Sequence, residues 1–189
     1  MEQELSNIEI APTIPEMNFT HVEVEELMNT KVLDIMDVLT AKGYLPYFEG
    51  TKISSDETVI IQFGKPSWHL VDSIGIMFKD NQPLEFCFNQ TGDCWLSMMA
   101  QLILAGYEPR YLVAPTEEAY NSVEELTLTT PFPTFEVYFY NIDKIYSCSL
   151  KVPRNFDEEN YNYIVTFSKR FIVPVNGVDV SDRYKLLFP

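Results

Sequence analysis

The stretch KVLDIMDVLTAKGYLPYF, beginning at Lys31, and the stretch CWLSMMAQLILAGYEPRY, beginning at Cys94, align without a gap at an offset of 63 residues. Leu33 meets Leu96, Met36 meets Met99 and Leu39 meets Leu102. The closing Gly43-Tyr44 with Pro46 meets Gly106-Tyr107 with Pro109. Apolar residues recurring every three or four positions describe a helix with one buried face. A glycine just past that face supplies a left-handed stop, and a proline soon after keeps the chain from resuming the helix. A chain that does this twice, each time followed by several β-forming runs, is expected to be an α+β protein. Its two similar units, each a helix followed by antiparallel strands, pack as one body. Either an internal duplication or two ordinary helix stops would account for the match, because only capping positions and expected core positions agree.

Residues 1–19, with Pro12 and Pro15 in a polar, acidic setting, read as an extended acidic arm. The first α-β unit then covers 20–90 and the second 91–189. Thr20 with Glu23 fits a capping box, and Val24, Met28, Val32, Ile35, Met36 and Leu39 share one side of a single helix that runs to Gly43. Strands are expected over 58–63, 73–78 and 84–88, the last two joined by a hairpin loop over 79–83. The second helix covers 94–105, and a strand follows over 110–114. Pro115 opens a short helix reaching Leu126, after which TTPFPT forces an extended connection. Strands over 135–141, 145–152 and 163–173 complete the second unit, with Asn176-Gly177 as a tight hairpin turn. A hydrophobic fraction of 46% and only 7 Gly in 189 residues leave enough apolar material for a full core.

Gly92-Asp93-Cys94-Trp95 resembles the Gly-x-Cys-Trp stretch that opens the catalytic helix of papain-like peptidases and transglutaminases. The resemblance implies a thiol in a first helical turn, where the dipole and free N–H groups favour thiolate. In those families the histidine base follows the cysteine, whereas His21 and His69 both precede Cys94 here. Cys94 is therefore expected to be a buried structural thiol beside Asp93 as a helix cap. Cys87 and Cys94 form no CxxC pair, and Gly64-Lys65-Pro66-Ser67 lacks the upstream glycines of a phosphate loop. No catalytic residue, metal ligand or cofactor is assigned, although two of the many carboxylates meeting in a cleft would permit an enzyme.

Twenty-eight acidic residues against 13 basic ones give a net charge of -15. No basic cluster is longer than Lys169-Arg170, so direct nucleic-acid binding and attraction to anionic membranes are not expected. The acidic start MEQELSNIEI is unlike a secretion signal and no apolar run approaches a membrane span. These features predict a cytoplasmic protein with free thiols, in the host cytoplasm if the chain is viral. On one continuous helix, Glu23, Glu26, Asp34 and Asp37 fall within about 80° of one another at 3.6 residues per turn, opposite the apolar stripe. They form a ridge about 21 Å long at 1.5 Å per residue. Glu117, Glu118, Glu124 and Glu125 would add to it from a neighbouring element. The ridge is either a solvated face or a docking surface for a basic protein.

The docking reading predicts a non-enzymatic binder of the size and charge of immunity proteins and viral anti-defence proteins, an inhibitor or antagonist of nucleic-acid-handling machinery. The alternative is a structural or assembly subunit. Its self-association, as a possible homodimer, would use the helix over 94–105, which contains no charged residue.

Overall fold

Large apolar side chains alternate along the strands, so each strand offers one face that must be covered. In the computed structural model, described over residues 16–53, 56–66, 73–113, 136–151 and 162–182, helices cover that face of a mixed α+β fold. Helix α1 spans His21–Met28, α2 Val32–Ala41 and α3 Trp95–Leu104. The strands are β1 (Leu45–Ile53), β2 (Val59–Gly64), β3 (Ser73–Lys79), β4 (Gln82–Thr91), β5 (Glu108–Val113), β6 (Glu136–Asn141), β7 (Tyr146–Lys151), β8 (Asn162–Ser168) and β9 (Val178–Asp179). They form one sheet in the order β1-β2-β3-β4-β8-β7-β6-β5-β9, and every pairing is antiparallel. Strands β1 to β4 run from one edge inward, β5 to β8 run inward from beside β9, which forms the other edge, and the two groups meet where β4 pairs with β8.

Phe86 and Phe88 of β4 lie opposite Phe167 and Val165 of β8, making the centre of the core. Phe19 packs edge-on against both phenylalanines, with centroids 5.4 and 5.2 Å away. It is held there because the Asn18 backbone N–H donates to Gln90 Oε1 and Asn18 Nδ2 donates to the Asn89 carbonyl. From above, α1 contributes Val24, Leu27 and Met28, α2 Ile35 and Leu39, and α3 Trp95, Met98, Met99 and Leu102.

Both expected helix stops take the same form. Gly43 has φ +86° and Gly106 φ +82°. The Tyr44 N–H donates to the Leu39 carbonyl and the Tyr107 N–H to the Leu102 carbonyl, each at 2.9 Å. This six-to-one bond closes a helix on a left-handed glycine and turns the next residue inward, so Tyr44 and Tyr107 are both buried.

Five expectations need correction. The helix expected to run unbroken from Thr20 to Gly43 is two helices. Asn29 Nδ2 donates to the Glu25 carbonyl and Thr30 Oγ1 to the Glu26 carbonyl, so side chains satisfy acceptors that a continuing helix would use. Leu33 and Leu96, aligned as core positions, lie on the surface at 70% and 54% exposure. The loop over 79–83 shrinks to Asp80-Asn81, both left-handed, with Gln82 and Pro83 already in β4.

The fourth concerns the strand expected over 163–173, which ends at Ser168. The chain then crosses the other face of the sheet. Tyr140 Oη donates to the Ile172 carbonyl and Ser147 Oγ to the Arg170 carbonyl, both at 2.7 Å, while Phe171 stacks on Tyr140. Asn176-Gly177 makes no hairpin. The turn runs from Pro174 to Gly177, and β9 then pairs with β5. A Cβ on Gly177 would lie 2.5 Å from Pro174 Cγ, so only glycine fits. The helix and connection expected after Pro115 lie outside the described residues.

Candidate functional site

Glu23 belongs to the scaffold of α1. Its Oε2 accepts from the Thr20 N–H at 2.9 Å while Thr20 Oγ1 accepts from the Glu23 N–H, completing the expected capping box. Its Oε1 lies 2.6 Å from Lys42 Nζ. Partial burial pushes the carboxyl up, but the bonds from Lys42 and Thr20 outweigh it and hold the pKa below its ordinary value. Glu26, Asp34 and Asp37 are exposed, the first on α1 and the other two on α2. Asp34 and Asp37, three residues apart, share a face of α2. Glu117, Glu118, Glu124 and Glu125 lie outside the described residues.

Most of the described basic side chains already have carboxylate partners. Lys42 pairs with Glu23, Lys79 with Asp56, Arg110 with Asp179, Lys144 with Glu25, Lys151 with Glu136 and Arg170 with Glu85. Among the described residues, none of Glu26, Asp34, Asp37, Glu57 and Asp80 has such an ion pair.

Sequence reasoning missed Glu25. Its side chain is only 15% exposed and joins three elements. Oε1 accepts from Tyr107 Oη at 2.8 Å, Oε2 meets Lys144 Nζ at 2.7 Å, and nearby Tyr146 Oη donates to Asn29 Oδ1. Burial, and next the Glu25 carboxylate, push the Tyr107 hydroxyl well above the ordinary phenol range. The only local signal is that Glu25 lies about 60° from Met28 on a 3.6-residue helix, at the margin of the apolar stripe.

A second feature lies where the helix layer stops short of the sheet. Val59, Ile61 and Phe78 face the helices, but α2 begins only at Val32, and Val59 and Ile61 remain half-buried. Together with Glu57, Lys79, Asp80 and Asn81 these residues line a hollow of about 230 Å³. Its floor is aliphatic and aromatic. Its charged lining residues are Glu57 and Asp80, both exposed, and Lys79, whose ammonium is 3.8 Å from Asp56.

The Cys94 thiol is fully buried, donates to the Glu16 carbonyl at 3.6 Å and lies 3.4 Å from Thr91 Oγ1. His21 bonds instead to Gln101. Asp93 is exposed in a 3-10 turn, and the cap residue of α3 is Cys94, whose side chain makes no capping bond. Among the described residues, no three His, Cys, Asp or Glu side chains are placed to hold a metal, and no helix is long and apolar enough to cross a membrane. No protein-family model matches the chain, and neither a curated protein nor a solved structure shows significant similarity to it.

Proposed function

We propose that this chain is a non-enzymatic acidic protein whose helix layer docks on a basic surface of another protein, in the manner of an inhibitor or antagonist of nucleic-acid-handling machinery. The observation that carries this reading is the set of exposed carboxylates on the consecutive helices α1 and α2. Six bases are matched by carboxylates, two of which, Glu23 and Glu25, lie on α1 itself, while Glu26, Asp34 and Asp37 are exposed on α1 and α2 and form no such ion pair among the described residues. Exposed charge of one sign steers an oppositely charged partner and speeds encounter. Glu117, Glu118, Glu124 and Glu125 remain part of the proposed face on sequence grounds.

A fluorescent oligolysine peptide titrated against the full chain at increasing salt tests the reading. Affinity should weaken steeply between low and high ionic strength, because exposed charges are screened within about 10 Å at 0.1 M. Affinity that does not change with salt would remove acidic docking from the account.

A second reading, self-association, has its own observation. Leu96, Ala100 and Leu104, spaced four apart on uncharged α3, form an exposed apolar stripe, with Leu104 88% exposed. Dimers that persist at high salt in light scattering would favour it. We also propose that the two units arose by duplication. The mirrored strand order, the matching glycine stops and the Leu33–Leu96 match at exposed positions support this, because packing does not demand an exposed leucine.

A further inference from the structure

We propose that the hollow between the start of α2 and the β3–β4 turn seats a single lysine or arginine side chain of the basic partner, an inference that rests on the docking reading above. At about 230 Å³ the hollow is smaller than the roughly 300–1,000 Å³ of small-molecule sites and suits one extended side chain. Its chemistry changes from bottom to top in the same order as that side chain. Buried Phe78 and half-buried Val59 and Ile61 can cover an aliphatic stem, while Glu57 and Asp80, both exposed, offer carboxylates to a cationic head at the solvent side. Lys79 does not cancel the rim, because its ammonium is turned to Asp56. An acidic side chain would meet two carboxylates, and a neutral aliphatic one would leave them with nothing to pair. Asp34 is exposed in the first turn of α2, two residues along from Val32, which lines the hollow.

The test is amide chemical-shift titration of the full chain at constant ionic strength with four probes: hexylammonium, hexylguanidinium, hexanol and hexanoate. The two cations should shift Val32, Glu57, Val59, Ile61, Phe78 and Asn81 saturably, hexanol more weakly, and hexanoate not at all. The Glu57→Gln/Asp80→Asn variant should keep the rest of its spectrum and lose cation affinity by about threefold or more, the scale of an exposed ion pair. No saturable shift at these residues, equal affinity for hexanol and the cations, or undiminished cation binding by the variant would each overturn the proposal. Oligolysine titrated into the same sample separates the two claims. Shifts on α1 and α2 that leave the hollow untouched would defeat the pocket and keep the docking face. Cation shifts in the hollow without salt-sensitive oligolysine binding would do the reverse.

Discussion

At Glu23 the carboxylate that periodicity assigns to a docking ridge is held by Thr20 and Lys42, and this has consequences for stability. Thr20→Ala should cost about 1 kcal/mol, as removal of an N-cap side chain does, measured by urea unfolding. Because the Glu23 pKa is depressed in the folded chain, its contribution is present above the ordinary value of 4.5 and is lost as pH falls through the folded value. The stability gap between wild type and Glu23→Gln should therefore be widest near neutrality and close on acidification. A gap that widened in acid would contradict the geometry. Glu25→Ala should cost more, about 2 kcal/mol, since it leaves the buried Tyr107 hydroxyl with no acceptor and Lys144 with no carboxylate. Glu57→Gly should have the opposite sign. Glu57 holds φ +66°, and a left-handed residue with a Cβ costs about 1 kcal/mol, so thermal stability should rise while the rim loses a carboxylate.

At the scale of elements, the two glycine stops give the cleanest comparison. A Cβ on Gly43 would meet nothing within 4 Å, and one on Gly106 only Asn141 Nδ2 at 3.7 Å. Alanine at either position therefore strains the backbone alone. Each substitution should lower stability by about 1 kcal/mol, and the two values should agree within about 0.5 kcal/mol. A much larger loss at one of them would show that the turns are not equivalent. These stops, the capping box and the β3–β4 meander were legible in the sequence because each depends on residues within a few positions of one another. The break at Asn29-Thr30 was not, since apolar spacing continues across it and the side-chain bonds that end α1 leave no periodic signal. LPYFEGTKI lacks clean alternation, so β1 went unread. The crossing segment after β8 looks like a strand in composition, but its partners are side chains of β6 and β7 on the far face. Of the site, the exposure of Glu26, Asp34 and Asp37 follows from their spacing. The Lys42 pairing of Glu23 and the role of Glu25 do not, because the basic partners, Lys42 and Lys144, lie 19 and 119 residues away.

Over the whole molecule, one sheet edge is capped by β9 and the other ends at β1. Within the charge of -15, ion pairs hold elements together, and exposed carboxylates without such pairs among the described residues stand on α1, on α2 and beside the hollow as well as at Glu108, Asp143 and Asp182. The central claim is that placement of acid, beyond its amount, determines what the chain binds. Oligolysine affinity at low salt should be compared between two triple variants of equal net charge. One is Glu26→Lys/Asp34→Lys/Asp37→Lys, on the helices. The other is Glu108→Lys/Asp143→Lys/Asp182→Lys, at exposed positions elsewhere. The account predicts that the helix variant loses at least about tenfold more affinity than its control, a difference of about 1.4 kcal/mol. Equal losses in the two variants would contradict it and leave the acid as a solubilising coat.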